Sequence, residues 1–418
     1  MSLSSKRTLL IISSLFMILI GVGLVSLLVF KRGSEHHQGK RTKHEHPAAT
    51  TGSEVKFQAP QGYDLNSIYQ TIAADCSKNP SCFHKTLIRI TETYGPAASL
   101  ESLRRLQENG QISLATDDHH LAHEIGIKTA ERFGINGQAF LLCPTSFNYG
   151  CQHGFFQYAL GKAGSTEKAA RAICSSLDHS YSGKFKFYCY HGLGHGVMMA
   201  RDYDLREALA TCDTIGSAFG QEGCWQGVFM ENVNAAMRGD QRASTFSKSD
   251  PLAPCNGVQE KYRHECFINH AGWLMNFFRN DLTKATSACL QAPNSHTSSC
   301  LQSIGLMVTN PAWQPSLSKS SGKKKFEEVA WNLCIKFPKD HQGQCVIGAV
   351  DNILNFGELV VLRARNFCNT VNPAYKNLCY RRIGISLRTQ TTDPKVVREK
   401  CATFEDPFKE ECLRGASL

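Results

Sequence analysis

The cysteines constrain this chain more than any other feature. Eighteen of them fall into nine consecutive pairs. Cys76 is followed by Cys82, Cys143 by Cys151, Cys174 by Cys189, Cys212 by Cys224 and Cys255 by Cys266. Then Cys289 is followed by Cys300, Cys334 by Cys345, Cys368 by Cys379 and Cys401 by Cys412. None is left over, and each of the last five pairs has ten residues between its members. Structural zinc modules use C-x2–4-C spacings, which do not occur here, and no C-x-x-C-H is present for c-type haem. The even, local pairing predicts nine disulfides between sequence neighbours and hence an oxidising compartment. A closed ring of about 12 residues contributes roughly 3 kcal/mol in the chain-entropy account.

The residues around the pairs explain the spacing. A helix-like stretch ends at the first cysteine, as in residues 205–212, LREALATC. A short polar or Gly-containing loop follows. The second cysteine then opens another apolar stretch, as in Cys224-Trp225-Gln226-Gly227-Val228-Phe229-Met230. Each disulfide is therefore expected to tie the end of one helix to the start of the next, antiparallel one. First cysteines recur at steps of 31 to 45 residues from Cys143 onward, a period typical of αα-hairpin arrays. Strand signals are weak throughout. The expected fold is an all-α, disulfide-stapled αα-hairpin repeat, an α-solenoid, behind one N-terminal transmembrane helix. Three residues after the second cysteine stands Gly154, Gly192, Gly227, Gly348 or Gly415, whereas Ser303, Asn269 and Arg382 fill the position elsewhere. Glycine inside a helix costs about 1 kcal/mol relative to alanine, so its recurrence predicts close helix approach. Disulfide-tied hairpins in a secreted array resemble the general plan of cysteine-rich Sel1-like repeat proteins. The cysteine spacing here is longer and the Leu-Gly and Tyr-x-x-Gly signature is not repeated, so that family is not assigned.

With 42% hydrophobic and 20% charged residues, the 418-residue chain has globular composition. Of its formal charge of +10, half lies in the first 56 residues. The remainder is too weakly basic to argue for nucleic acid. Leu9 to Phe30 is uncharged and long enough to span a hydrocarbon core of about 30 Å. It runs into Lys31-Arg32 without a small-residue cleavage site, which favours an uncleaved signal anchor over a long signal peptide. The flanking charges alone would hold the C-terminal side in the cytosol. The cysteines argue that this side is periplasmic, lumenal or at the cell surface. The expected organisation is a cytoplasmic stub over 1–8, the anchor over 9–30 and a polar His/Lys-rich linker over 31–60. A helical repeat domain over 61–315, a flexible basic loop over 316–325 and C-terminal hairpins over 326–418 follow. The repeat domain includes a Cys-free hairpin of Ala97–Asn109 and Asp117–Phe133.

The informative chemistry lies between residues 117 and 231. One helix reads Asp117-Asp118-His119-His120-Leu121-Ala122-His123-Glu124. Two later helices open with Gly150-Cys151-Gln152-His153-Gly154 and Cys189-Tyr190-His191-Gly192-Leu193-Gly194-His195. His119 and His123 are four apart, as are His191 and His195, so each pair shares a helix face. His153 and His191 both stand two after a second cysteine, where later repeats carry Gln226, Ile268, Gln302, Ile347, Arg381 and Arg414. The histidines are thus not demanded by the framework. Neighbouring helices sit about 8–10 Å apart, within which imidazoles from successive repeats converge. An i,i+4 pair is also how helical zinc sites present two ligands. The expected site is a pocket for zinc or another transition metal formed from His119, His120, His123, His153, His191 and His195, with Glu124 and Glu222 as candidate bases.

Three readings follow from this pattern. The first is a membrane-anchored, extracytoplasmic helical-repeat protein with a His-lined metal pocket and catalysis left open. The second is a metal-independent scaffold whose concave face holds a protein, peptide or glycan. The third is a zinc-dependent hydrolase, which needs an open metal position and a carboxylate base. Neither G-x-x-x-x-G-K-S/T, G-x-S-x-G nor H-E-x-x-H occurs, nor any usable N-x-S/T sequon.

Overall fold

The computed structural model describes residues 64–76, 80–108, 117–144, 146–147, 149–177, 183–310, 313–314, 325–355, 360–391 and 393–418. The expected anchor, the His/Lys-rich linker and almost all of the basic loop lie outside these residues. The compact unit over Phe57–Leu418 is helical, with no strand among the described residues. No described helix is long and apolar enough to cross a membrane.

All nine disulfides join the predicted neighbours. Cys76 is bonded to Cys82, Cys143 to Cys151, Cys174 to Cys189, Cys212 to Cys224 and Cys255 to Cys266. Cys289 is bonded to Cys300, Cys334 to Cys345, Cys368 to Cys379 and Cys401 to Cys412. Their Cα–Cα distances run from 5.3 to 5.7 Å.

The leading helices are α1 (Leu65–Cys76), α2 (Pro80–Tyr94) and α3 (Pro96–Glu108), and the Cys-free pair is completed by α4 (Asp117–Phe133). Then come the single turn α5 (Gly137–Phe140), α6 (Gly150–Ala163), α7 (Thr166–Ile173), α8 (Gly183–Ala200), α9 (Leu205–Cys212) and α10 (Ala218–Met237). The middle of the chain forms α11 (Glu260–Asn269), α12 (Ala271–Phe277), α13 (Leu282–Cys289) and α14 (Asn294–Met307). The last six are α15 (Phe326–Cys334), α16 (Gln342–Asn355), α17 (Val360–Thr370), α18 (Pro373–Gln390), α19 (Pro394–Cys401) and α20 (Phe408–Gly415).

The hairpins are mostly asymmetric. Their first arms α7, α9, α13 and α19 have eight residues each, too few to be stable as isolated helices. Each is started by a side-chain cap: Ser165, Asp204, Asp281 and Asp393 accept from backbone N–H groups of the first turn. Each is stopped at or beside the disulfide. Two first cysteines depart from the expected pattern. Cys143 follows the single turn α5, and Cys255 sits in a turn segment between α10 and α11. The Pro- and Ser-rich stretch from Ser247 to Pro254 supplies turn residues there instead of a helix. Second cysteines also differ in where they stand on their helices. Cys82 and Cys151 lie in the first turn of α2 and α6, whereas Cys266, Cys300 and Cys379 lie a turn or more inside α11, α14 and α18. The second helices therefore begin ahead of the disulfide rather than at it.

The long helices pack in succession, α4 on α6, α6 on α8, α8 on α10, α10 on α11, α11 on α14, α14 on α16, α16 on α18 and α18 on α20. Glycine decides how closely they do so. A methyl group on Gly126 of α4 would overlap the Cys151 carbonyl of α6, and one on Gly154 of α6 would overlap the His123 carbonyl of α4. The same reciprocal contact recurs between α8 and α10 (Gly194 on Cys224, Gly227 on His191) and between α18 and α20 (Gly384 on Cys412, Gly415 on Arg381). Between α14 and α16, Gly305 meets Cys345 and Gly348 meets Gln302. The structural unit is therefore a crossed pair of long helices, two hairpins rather than one. This corrects the single-hairpin repeat and explains its irregular glycines. Gly154, Gly227, Gly348 and Gly415 lie on the second helix of a pair. Gly192, Ser303 and Arg382 lie on the first, where the crossing glycine stands two residues later; a methyl on Gly192 would meet only the Phe156 ring, at 3.2 Å. In addition, α18 packs against α8, a contact that an array of nearest neighbours alone would not make.

Candidate functional site

Because His123 and His191 supply the carbonyls over which their partner helices cross, their side chains leave the backbone at a crossing point. The facing residue of the partner helix is His153 in the first pair and Gln226 in the second. His123 and His153 meet with ring centroids 5.5 Å apart. His153 stacks on His195 at 4.3 Å with the planes 26° apart, and His195 meets His191 at 4.9 Å. Four of the six predicted histidines thus form one row across α4, α6 and α8. His153, His191 and His195 are 8%, 6% and 2% exposed.

The remaining predicted residues lie apart from the row. His120 is exposed, and Glu124 stands 3.8 Å from both His120 and His84 near the surface. The His119 side chain lies outside the described residues. Glu222 is exposed on α10, and its charge falls on His264 and Glu265. Among the described residues, no group of three or more His, Cys, Asp or Glu side chains is arranged to hold a metal ion.

The carboxylate that does belong to the row is Glu231, which the sequence reading did not single out. Its Oε2 is 2.9 Å from His195 Nδ1, while its Oε1 accepts from the Tyr203 hydroxyl at 3.1 Å and from Arg238 at 2.9 Å. Burial alone would raise its pKa; the hydrogen bond and charge of His195, with Arg238, outweigh it and hold Glu231 down to about 2. A signal for it was present. Glu231 follows the crossing glycine Gly227 by four residues, as His195 follows His191, so one helical turn carries both partners away from the same crossing.

This carboxylate fixes the histidine chemistry. An ionised Glu231 only accepts, so His195 donates to it through Nδ1–H. The His195 Nε2 lies 3.1 Å from His191 Nε2, and one proton is shared between them. The other ring nitrogen of His191, Nδ1, is buried with no hydrogen-bond partner. Burial first, and then the neighbouring His195, hold His191 well below its ordinary pKa, with Gln226 opposing. The row therefore offers unprotonated imidazole nitrogen in a water-poor interior.

Beyond Gln226 the polar path continues into α11, where the amide donates to Glu265 Oε2 at 3.0 Å. Burial raises Glu265 to about 7, Gln226 opposing and Glu222 adding to the rise. For a carboxyl raised from 4.5, folded and unfolded chains are both protonated in acid. Stability is then lost as pH climbs from there through 7, by an amount on the order of 3 kcal/mol. Glu265→Gln is expected to melt with the parent protein at pH 4 and clearly above it at pH 8. Equal melting at both values would show that Glu265 ionises as readily in the folded chain as in water.

No family model, curated protein or solved structure matches this chain.

Proposed function

We propose that this chain is an extracytoplasmic helical protein, held to a membrane by the Leu9–Phe30 segment, whose function resides in a histidine centre that binds a transition metal of the zinc type. The nine disulfides support the compartment. One observation carries the metal reading: two Nε2 atoms from an i,i+4 pair converge to 3.1 Å while Glu231 engages Nδ1 of one ring. Two imidazoles sharing a tetrahedral zinc at about 2.0–2.1 Å have nitrogens about 3.3 Å apart. A carboxylate on the far nitrogen is the usual outer partner of a zinc-bound histidine. His191 and His195 are the proposed donors, and His153, stacked on His195, is the nearest further ring. A bound ion would take the place of the proton now shared by the two Nε2 atoms and relieve the burial cost of the row.

A second, metal-independent reading is favoured by the hydrogen bonds that already satisfy both Nε2 atoms. In it the row is a polar joint between helix pairs, and the protein is a scaffold for a protein, peptide or glycan partner. The hydrolase reading has less support, since Glu124 and Glu222 lie away from the row and Glu231 is fully engaged. Metal analysis of the purified, oxidised domain separates the first two. The expected result is near-stoichiometric zinc, lost in His191→Ala and His195→Ala, with a lower melting temperature in chelator. Metal-free protein after growth and dialysis in zinc, melting identically with and without chelator, would overturn the metal reading.

A further inference from the structure

Where α8 meets α18, five side chains from distant parts of the chain gather beside the histidine row. Tyr149, at the N-terminus of α6, stacks on Tyr188 of α8, with ring centroids 5.4 Å apart and planes 18° apart. Tyr188 meets the edge of His191 at 5.8 Å. Lys184, one turn before Tyr188, holds its ammonium 5.9 Å from the Tyr188 ring. Opposite, Asp351 of α16 receives two hydrogen bonds of 2.6 Å from Arg382 of α18. Asp351 and Arg382 are 22% and 31% exposed, and Tyr149, Lys184 and Tyr188 are likewise neither buried nor free.

The hydrogen-bond balance of this group is uneven. Asp351 is taken up by Arg382. Among the described residues the Lys184 ammonium has no carboxylate within ion-pair distance, and neither tyrosine hydroxyl has a hydrogen-bond partner. Burial lowers the pKa of Lys184, with Asp351 opposing, so the charge is kept at a cost. Three half-buried groups able to donate therefore lie close together without an acceptor among the described residues, two of them the hydroxyls of a stacked ring pair. The local charge is one positive in excess. Tyr149 is also held at φ 62°, a conformation that costs a non-glycine residue free energy and occurs preferentially at working sites.

We propose that Tyr149, Lys184 and Tyr188, beside the Asp351–Arg382 pair, form a binding site for a small aromatic carboxylate, whose oxygens accept from Lys184 and the tyrosine hydroxyls while its ring lies against the tyrosine pair. An anion satisfies the donors and the excess charge together. The stacked phenols favour a planar ring over an aliphatic one. The site is distinct from the metal proposal and is tested in chelator-treated protein, so neither outcome depends on the other.

Benzoate is the probe, titrated into the oxidised domain and followed by tyrosine absorbance difference and calorimetry. Saturable binding is expected with a Kd of about 1 mM, a modest efficiency for so small a ligand. Acetate, which lacks the ring, and benzamide, which lacks the charge, are each expected to bind at least ten-fold more weakly. Lys184→Gln should weaken benzoate at least ten-fold. Tyr149→Gly removes the stack while relaxing the left-handed backbone, so it keeps the fold and should weaken benzoate several-fold. No saturable benzoate binding to the parent protein, or equal binding by parent, Lys184→Gln and Tyr149→Gly at unchanged melting temperature, would overturn the proposal.

Discussion

Gly227→Ala is expected to cost about 3 kcal/mol or more of folding stability, a large part of the 5–15 kcal/mol that holds a typical domain together. On an open helix surface the same change would gain about 1 kcal/mol, because alanine is the better helix former. Here the new methyl would overlap the His191 carbonyl and crowd the Gly194 Cα on the partner helix. Neither neighbour is a side chain that can turn away, so the helices must separate and lose packing along their length. Gly161 on α6 provides the control, since a methyl there meets nothing within 4 Å. Gly161→Ala should leave stability unchanged or raise it by up to about 1 kcal/mol. Urea unfolding of both variants reads the contrast. A Gly227→Ala protein as stable as Gly161→Ala would mean that α8 and α10 do not cross backbone to backbone.

Glu231→Leu is the second large effect, with an expected loss of about 3 kcal/mol. The substitution strands the buried Nδ1–H of His195 and removes the acceptor of the Tyr203 hydroxyl. Arg238 contributes less to the loss, because its side chain is 58% exposed and can turn to water. The pH dependence carries a sign that a purely steric defect would lack. Glu231 is held down to about 2 in the folded protein, below its unfolded value near 4.5. Its contribution is therefore complete above the unfolded value and is lost as pH falls towards 2. The parent and Glu231→Leu should differ most near neutral pH and converge in acid. A gap that stays constant from about pH 7 to about pH 3 would remove Glu231 from its role as the anchor of His195.

The disulfide pairing and helical class were legible because both follow local rules. A ten-residue interval in five pairs, and intervals of five to fourteen residues in the other four, leave each cysteine one near partner, and residues such as Asp204 and Asp281 announce helix starts within three positions. The histidine row was legible in part. His123, His153, His191 and His195 share crossing or i,i+4 positions that a repeat alignment exposes. Glu124 was attractive for its closeness in sequence to His123 and Glu222 for its place just before a second cysteine, yet a helix sends successive residues to different faces, and both point elsewhere. Glu231 was missed because its partner lies 36 residues away on another helix. Treating every second helix as equivalent hid the two-hairpin unit. Gly194, Gly305 and Gly384 each stand five residues after a cysteine and alternate with glycines that stand three after, a two-beat pattern that a search for one offset passes over. The left-handed Asp202 and Tyr203 just before the Asp204 cap have a counterpart in Arg279 and Asn280 before Asp281. That pair of turns belongs to the connector between helices, and the delivery of the Tyr203 hydroxyl to Glu231 is built upon it.

Backbone meeting backbone leaves the seat beside each crossing open to whatever side chains a given joint is to carry. The four joints are furnished differently: imidazoles in the first, an imidazole facing an amide in the second, a Gln302–Gln344 amide contact in the third, and Arg381 and Arg414 clasping Glu411 in the fourth. One scaffold thus holds four sockets of the same form whose occupants can be exchanged without redrawing the frame, and nitrogen ligands, neutral donors or fixed charges could be seated in any of them.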